Sequence, residues 1–115
     1  MASDRFAKDL ATGTYDLILL DVLQAGPTYA YAIIRRIFEQ SHHTLRWQQG
    51  TVYHALHHLE RQGLVTSVWR GRSGGRQRRY YHLTTPGRSA WKQRRAQWLQ
   101  LRRTIDGLLG LPAGG

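Results

Sequence analysis

The stretch "QQGTVYHALHHLERQGLVTSVWRGRSGGRQRRYYHL", residues Gln48–Leu83, decides the fold of this chain. In its first part, apolar side chains recur at the i, i+3, i+4, i+7 spacing of a helix with one buried face, at Val52, Ala55, Leu56 and Leu59. Gly63 suits the position just after the end of that helix. Two alternating runs, "LVTSVW" and "RRYYHL", then flank a glycine-rich basic turn. The stretch therefore predicts a helix followed by a β-hairpin.

Two further helices are predicted upstream of this stretch. "TYDLILLDVLQAG" is apolar on most sides and predicts a buried helix of about ten residues, which Gly26 and Pro27 end. The pattern from Met1 to Thr12 is weak, and we expect this segment to be frayed at its start. "TYAYAIIRRIFEQ" predicts the second helix, with Thr28 as its N-cap. Its inner side is expected to carry Ile33, Ile34 and Ile37. A short extended piece, "LRW", is expected before the third helix.

One long helix is predicted after the hairpin. "TTPGRSAWKQ" places Pro86 in the first turn, where proline is tolerated, and the helix is expected to run to about Leu109. Three helices followed by a basic hairpin predict a winged helix-turn-helix, in which the third helix enters the major groove of DNA. The expected fold class is therefore mainly α with a β-hairpin.

Charge narrows the class of partner. Lysine and arginine number 17 against 7 acidic residues, which gives a formal net charge of +10, and only Lys8 and Lys92 are lysines. Guanidinium groups make bidentate contacts with phosphate and guanine, which favours nucleic acid over an anionic membrane or an acidic protein. The sequence has no cysteine, no apolar run of membrane-spanning length and no apolar signal-peptide core. We therefore expect a cytoplasmic protein without a cofactor, a metal or a membrane partner.

Three motifs carry a resemblance to a known family. "GTVYHALHHLERQGLV", Gly50–Val65, resembles the signature of the PadR family of bacterial transcriptional regulators. "SGGRQRRYYHLTTPGR", Ser73–Arg88, resembles that family's wing and its junction with the last helix, and "GPTYAYAI", Gly26–Ile33, resembles the segment leading into helix two. The single C-terminal helix resembles the short branch of the family, in particular its lactococcal multidrug-sensing repressor. Ala30 and His54 depart from the Gly and Pro that are frequent in the family.

The helix pattern and the resemblance together predict side chains that contact double-stranded operator DNA. The side of the third helix opposite its apolar face carries Thr51, His54, His57, His58 and Arg61. Gln48 and Gln49, at the helix start, have amides that suit adenine. Tyr53 resembles a family tyrosine at the DNA-facing edge, with support of the core as the alternative. His58 stands where the family usually has Arg or Lys, so a neutral imidazole would weaken a phosphate contact at high pH.

The wing is predicted to contact the DNA backbone. Five arginines fall within ten residues without an acidic residue among them, at Arg70, Arg72, Arg76, Arg78 and Arg79. Arg72 and Arg76, near the turn, and Arg78 are the expected phosphate contacts. Such contacts position a protein on DNA and make its affinity salt-dependent. A solvated basic hairpin is the alternative.

The last helix is predicted to join two copies of the chain. Trp91, Trp98 and Ile105 repeat every seven residues, and Arg94, Leu101 and Leu108 fill the alternate positions. Because family members dimerise through this helix and helix one, the resemblance implies a homodimer interface at Trp91, Trp98, Leu101, Ile105 and Leu108. A dimer matches the two half-sites of a palindromic operator. The expected division is a winged helix-turn-helix domain (1–85), a C-terminal dimerisation helix (86–109) and a flexible tail (110–115).

Trp98 also aligns with the tryptophan of the lactococcal drug sensor, in which paired tryptophans from two subunits hold flat aromatic drugs. The resemblance implies a similar site, since two facing rings can sandwich a planar aromatic ligand. Its expected lining is Leu10, Gly13, Asp16, Leu17, Leu20, Trp91, Arg94, Arg95, Arg102 and Ile105. The arginines favour a neutral or anionic ligand over a dication. Simple closure of the dimer by the two Trp98 rings is the alternative.

Other sites are discounted. His54, His57 and His58 have a spacing that suits a metal, but only Glu60 is near to complete the set, so a solvated or DNA-facing row is expected. Neither a nucleophile elbow nor a P-loop is present, so an enzyme is not expected.

Two more tryptophans, Trp47 and Trp69, are expected to pack into the core under the hairpin. The functional hypothesis is a dimeric repressor released from DNA by a planar aromatic molecule. The alternatives are an effector-independent repressor and an architectural DNA-binding protein.

Overall fold

A computed structural model describes residues 2–71 and 74–112 of the chain, with the backbone alone for residues 2–12. Within these residues the elements are α1 (Ala2–Gln24), α2 (Ala30–Gln40), α3 (Gln49–Arg61), β1 (Val65–Arg70), β2 (Arg78–Leu83) and α4 (Thr85–Leu109). The predicted class, mainly α with one β-hairpin, is confirmed.

The first helix is longer than the sequence predicted. It begins at Ala2, whereas the sequence predicted a helix of about ten residues after a weakly patterned segment. Gly13 lies inside this helix, where one glycine costs only about 1 kcal/mol relative to alanine. Gly26, with φ of 144°, follows the end of α1 as expected.

The start of α2 corrects a second prediction. Thr28 is not the N-cap: that position belongs to Tyr29, which makes no side-chain capping bond. The backbone of Thr28 instead pairs with Tyr81 of β2, donating to its carbonyl at 3.1 Å and accepting from its amide at 2.7 Å. The helix therefore starts only after this bridge has fixed the chain against the hairpin. At the other end, His42 and His43 take positive φ values of 54° and 66° and terminate α2.

The connection into α3 is irregular, because the "LRW" segment predicted as extended forms no strand. Trp47 nevertheless packs against the core, and its ring meets Tyr15 of α1 edge-to-face with centroids 4.6 Å apart. Its indole N–H is buried without a hydrogen-bond partner. Trp47 therefore joins the α2–α3 connection to α1.

The core lies where α1, α2, α3 and the inner end of the hairpin meet. Its buried side chains are Leu19, Leu20, Val22, Leu23, Ala30, Ile33, Ile37, Val52, Leu56, Leu59, Val65, Tyr81 and Leu83. The hairpin strands pair antiparallel, from Val65 opposite Leu83 to Arg70 opposite Arg78. Only the end of the hairpin nearest α3 reaches the core, which leaves the rest of the wing in solvent.

The long helix α4 is attached to this core at its first turn. The Thr84 hydroxyl accepts from the Gly87 amide at 3.0 Å and donates to the Gly63 carbonyl at 2.7 Å. A Cβ on Gly87 would lie 1.9 Å from the Leu64 carbonyl oxygen, so only glycine fits this close approach. The helix ends as predicted, with Gly110 as a left-handed C-cap.

Within the described residues, α4 is more buried in its first turns than in its last ones. Ala90 and Trp91 pack on the core, whereas Leu101, Ile105 and Leu108 are exposed. In the part of the chain that the structure describes, no helix is long and apolar enough to cross a membrane.

Candidate nucleic-acid interface and groove of the last helix

The outer side of α3 is the first candidate surface. Gln48 is the N-cap of this helix and makes no side-chain capping bond, so its amide is not engaged by the helix that it begins. The other predicted contacts on this helix are all exposed: Gln49, Thr51, Tyr53, His54, His57, His58 and Arg61. Tyr53 is 47% exposed, so support of the core is not its main role. Burial of Val52, Leu56 and Leu59 on the inner side fixes which side of α3 a partner can reach.

A concave surface of about 520 Å³ lies between α2, α3 and the hairpin. We call it the wing bowl. Its lining is Tyr29, Ala30, Tyr31, Gln49, Tyr53, Trp69, Arg76, Gln77, Arg78 and Arg79, among which there is no acidic residue. Phenol, indole, amide and guanidinium groups all present N–H or O–H donors here. The wing bowl therefore suits an anionic partner rich in acceptor oxygens.

Trp69 corrects the prediction that it packs under the hairpin. It is 64% exposed, because it lies at the outer end of β1 opposite Arg79, past the point where the hairpin leaves the core. Tyr31 is also exposed, and sequence reasoning had assigned it no role. The signal that could have identified both residues is an aromatic side chain beside a run of arginines in a segment assigned to the DNA-binding fold.

The arginines of the wing differ from one another. Arg78 stacks on the Tyr29 ring at 4.5 Å, and Arg70 on the Tyr80 ring at 5.4 Å. Arg70, Arg76 and Arg78 also line a second hollow of about 330 Å³ beside the bowl. Arg72 lies outside the described residues.

Arg79 is the exception among these arginines, because an acidic residue from outside the wing pairs with it. Its Nη2 lies 3.2 Å from Oε1 of Glu60 on α3, and its Nε donates to the Ser67 hydroxyl at 2.8 Å. Burial raises the pKa of the neighbouring Tyr81 phenol; Arg79 opposes this rise, whereas Glu60 and Tyr53 add to it.

A second surface lies between α1 and α4, on both sides of Trp98. One hollow, of about 400 Å³, reaches from Trp98 and Arg95 to Asp21 and the end of α2. The other, of about 430 Å³, is lined by Gly13, Thr14, Asp16, Leu17, Arg94, Gln97, Trp98 and Leu101. We call them the Trp98 hollows. The predicted ligand residues Asp16, Leu17, Arg94 and Trp98 are thus brought together.

Asp16 is the buried charge of this groove. Its Oδ2 lies 3.7 Å from Nη1 of Arg94. Burial raises the pKa of the Asp16 carboxyl, while the charges of Arg94 and of His58 act in the opposite direction. Asp16 therefore lies within electrostatic reach of both the last helix and the outer side of α3.

Two predicted ligand residues lie elsewhere. Leu20 has no exposed surface and belongs to the core, so it supports the groove from behind. The indole N–H of Trp91 donates to Oδ1 of Asp21 at 2.9 Å, which engages this ring within the chain itself. The remaining predicted side chains, Leu101, Ile105 and Leu108, form an exposed stripe with Trp98. Leu10 lies in the range where only the backbone is described.

Comparisons with known proteins place this arrangement in a family. The model of the transcriptional regulator PadR-like family matches residues 19–93, well over half of the chain. The chain belongs to the PadR-like family. It is 41% identical over 69 residues to the transcriptional regulator Rv3488 of Mycobacterium tuberculosis, covering 60% of this chain and 64% of that protein.

Solved structures agree with the PadR-family fold. A transcriptional regulator from Clostridium thermocellum has a TM-score of 0.78 and 27% identity, covering 86% of this chain and 93% of that one. Bacillus subtilis PadR, solved in complex with operator DNA, has a TM-score of 0.62 and 19% identity over 68% of this chain and 44% of that one, which shows a shared fold. The PadR family and these relatives are transcriptional regulators and not enzymes, in agreement with the sequence-based expectation. The finer resemblance to the lactococcal drug sensor stays a prediction.

Proposed function

We propose that this PadR-family protein is a homodimeric repressor that binds operator DNA through α3 and the wing. The observation that carries the proposal is the wing bowl, because its lining combines arginines with exposed aromatic and amide groups and contains no acidic residue. Phosphate oxygens are the acceptors that such a surface suits. The Bacillus subtilis PadR that shares the fold was itself solved with operator DNA.

The proposed contacts fall into two groups. Base edges would be met from the start and outer side of α3, by Gln48, Gln49, Thr51, His54, His57 and His58. Phosphates would be met by the wing, through Arg72, Arg76 and Arg78, with Tyr53 and the newly identified Tyr31 and Trp69 beside them. The first group supplies sequence preference and the second supplies salt-dependent affinity.

The dimer is proposed from the outer part of α4. Trp98, Leu101, Ile105 and Leu108 leave an apolar stripe exposed along this helix, and Leu108 alone is 82% exposed. Contiguous exposed apolar side chains of this size mark an interaction surface. A second copy is the occupant proposed here, since the heptad spacing of the stripe is self-complementary about a two-fold axis.

Selection of bound duplexes from a random DNA pool tests both parts of this proposal. We expect a two-fold-symmetric consensus with half-sites about one turn of DNA apart. An asymmetric consensus would contradict the dimer. Recovery of unrelated sequences would favour a sequence-tolerant architectural protein.

A planar aromatic effector is the finer proposal. Each Trp98 hollow has a volume within the range of small-molecule sites, roughly 300–1,000 Å³. Charge shapes the expected ligand, because Arg94 is paired with Asp16 and Arg102 with Asp106. Those pairs offset two of the arginines, so a neutral ring system, or one with a single anionic group near Arg95, fits better than a dication.

Titration of the operator complex with planar aromatic dyes tests the effector. A dye that binds beside Trp98 should lower operator affinity, and saturating operator should lower dye affinity by the same factor, since linkage is reciprocal. Dye binding with no effect on operator affinity would contradict the effector. Together with a two-fold consensus, that result would leave an effector-independent repressor.

A further inference from the structure

Glu60 and Arg79 join α3 to the wing through a closed set of contacts. The Arg79 Nη2 lies 3.2 Å from Oε1 and 3.3 Å from Oε2 of Glu60. The Ser67 hydroxyl donates to Oε2 of Glu60 at 3.0 Å and accepts from Nε of Arg79 at 2.8 Å. Three elements, α3, β1 and β2, each contribute one side chain. We call this set the wing clamp.

The wing clamp also positions Arg79 between two aromatic rings. Its Cζ lies 5.9 Å from the centre of the Trp69 ring and 5.5 Å from that of Tyr81. The Glu60 side chain is only 19% exposed, so its charge is partly shielded from solvent and acts chiefly on Arg79. The Arg79 side chain lines the wing bowl and is 38% exposed, but its charge is offset by Glu60.

The other described arginines of the wing are placed differently. Within residues 65–71 and 74–83, Arg79 is the arginine that an acidic side chain engages; Arg70, Arg76 and Arg78 are in no ion pair. Among the described arginines of the wing, Arg79 is therefore the one whose charge is offset by an acidic side chain. The composition of the wing alone counts all of them alike.

We propose that Glu60 is a specificity-determining residue of the DNA-binding surface. It acts as a positioning residue: it fixes the angle of the wing against α3 and keeps Arg79 from serving as an additional, sequence-independent phosphate contact. This inference rests on the proposed function, because it states how the two halves of a DNA-binding surface are kept in register. Base contacts on α3 and phosphate contacts on the wing can be made together only when their relative position is fixed.

Removal of the Glu60 charge is expected to change the affinity for random DNA and the affinity for the operator by different amounts. In Glu60→Gln, Arg79 loses its ion pair and becomes available to phosphates, so affinity for random DNA rises. One more phosphate contact makes the salt dependence steeper by about one unit of slope. Operator affinity gains less, because the wing is no longer held in register with α3. The ratio of operator to random affinity therefore falls.

The test measures binding of the selected operator and of a random duplex of equal length across a series of salt concentrations. For Glu60→Gln we expect the operator-to-random ratio to fall roughly threefold or more, within the range that one partly exposed charged pair supports. The double variant Glu60→Gln/Arg79→Gln should return random-DNA affinity and salt slope to wild-type values while the ratio stays low. The matched control is Glu39→Gln, which frees Arg35 from an exposed pair on α2 with the same change in net charge. This control should leave the ratio unchanged.

A readout without DNA separates positioning from charge. Amide hydrogen exchange of Val65–Arg70 and Arg78–Leu83 in the free protein should be faster in Glu60→Gln than in wild type, with exchange in α1 unchanged. If Glu60→Gln melts far below wild type, Arg79→Lys takes its place, because lysine keeps the charge but cannot bridge Glu60 and Ser67 in the same way.

Three outcomes overturn the inference. They are an unchanged operator-to-random ratio, an unchanged salt slope in Glu60→Gln, or unchanged exchange in the hairpin. A wild-type protein without preference for any operator would instead overturn the proposed function. The two failures are therefore distinguishable.

Discussion

Two tryptophans, Trp69 and Trp98, are exposed on the two candidate surfaces of this protein, at 64% and 42% of their possible accessible area. Trp69 lies in the wing bowl, where the lining contains cations, tyrosines and amides without an acid. Trp98 lies between hollows that contain Asp16 and Asp21 as well as Arg94 and Arg95.

The comparison shows that the exposure of a side chain and the charge around it give different information about a binding surface. An exposed indole within a larger apolar or aromatic surface favours a binding site, because contiguous apolar surface left in water is costly. The charges around it indicate which class of partner binds. The lining of the wing bowl around Trp69 is cationic and favours a polyanion, although Glu60 offsets the charge of Arg79 there. Balanced charge and apolar walls at Trp98 favour a second copy of the chain and a small aromatic ligand.

The largest effect on stability is expected at Gly87, where the first turn of α4 joins the DNA-binding fold. In Gly87→Ala the new Cβ would lie 1.9 Å from the Leu64 carbonyl oxygen, so the first turn of α4 must move off the α3–β1 turn. We expect the free energy of unfolding to fall by about 3 kcal/mol. Chemical denaturation measures this loss.

The matched control for that joint is Gly107→Ala, at a helical position where a Cβ meets nothing within 4 Å. Alanine is a better helix former than glycine by about 1 kcal/mol, so this variant should be as stable as wild type or more stable. Equal destabilisation by the two substitutions would contradict the close approach at Gly87.

Two substitutions, one on each surface, test whether the surfaces at Trp69 and Trp98 bind different partners. Trp98→Ala should weaken binding of a planar dye by about tenfold or more, the scale of one aromatic stacking contact, and leave operator affinity within a few-fold where the dimer persists. Trp69→Ala should weaken operator binding by about tenfold and leave dye binding intact. Dye anisotropy and operator anisotropy report the two affinities, and sedimentation reports the dimer. Equal losses in both assays for either variant would show that the surfaces are not separate.

A smaller effect is expected from Arg76→Ala in the wing. Loss of one phosphate contact should weaken operator and random DNA by the same factor and lower the salt slope by about one. The matched substitution Arg103→Ala, on the exposed side of α4, should leave the slope as it is in wild type. An unchanged slope in Arg76→Ala would remove this residue from the contact surface.

The smallest expected effect is a change of stability with pH, caused by the buried Asp16 carboxyl near Trp98. Burial raises the folded-state pKa of Asp16 above its ordinary value of 3.8, so folding favours its protonated form. The contribution of Asp16 to the free energy of unfolding is therefore complete below its unfolded-state pKa. It is lost as pH rises through the raised folded-state pKa.

Melting curves of wild type and Asp16→Asn across that acidic window test this sign. We expect the difference in melting temperature, wild type minus variant, to decrease as pH rises. A difference that increases with pH would mean that Arg94 outweighs burial at this site.

Local sequence patterns predicted the elements of this fold and most of its candidate surfaces. The spacing of Val52, Leu56 and Leu59 gave the inner side of α3, and Pro86 marked the first turn of α4. These features depend on residues close together in the chain, where helix and hairpin periodicity applies.

What the sequence missed depends on contacts between distant segments. The bridge between Thr28 and Tyr81, the pairing of Glu60 with Arg79, and the position of Leu20 in the core and not in the ligand lining each depend on how separate elements pack. Trp69 was assigned to the core because its place in the alternation is correct, but the core ends before the hairpin does. Periodicity gives the face of a strand and does not give the length over which that face is covered.

The central proposal is that a dimer binds one operator through α3 and the wing. Its most direct test is the number of chains bound per selected consensus duplex. Sedimentation of the labelled duplex at increasing protein concentration is predicted to give two chains per duplex, and Arg76→Ala should reach the same stoichiometry at higher protein concentration. A saturated complex with one chain per duplex, or one that forms equally well on random DNA, would contradict it.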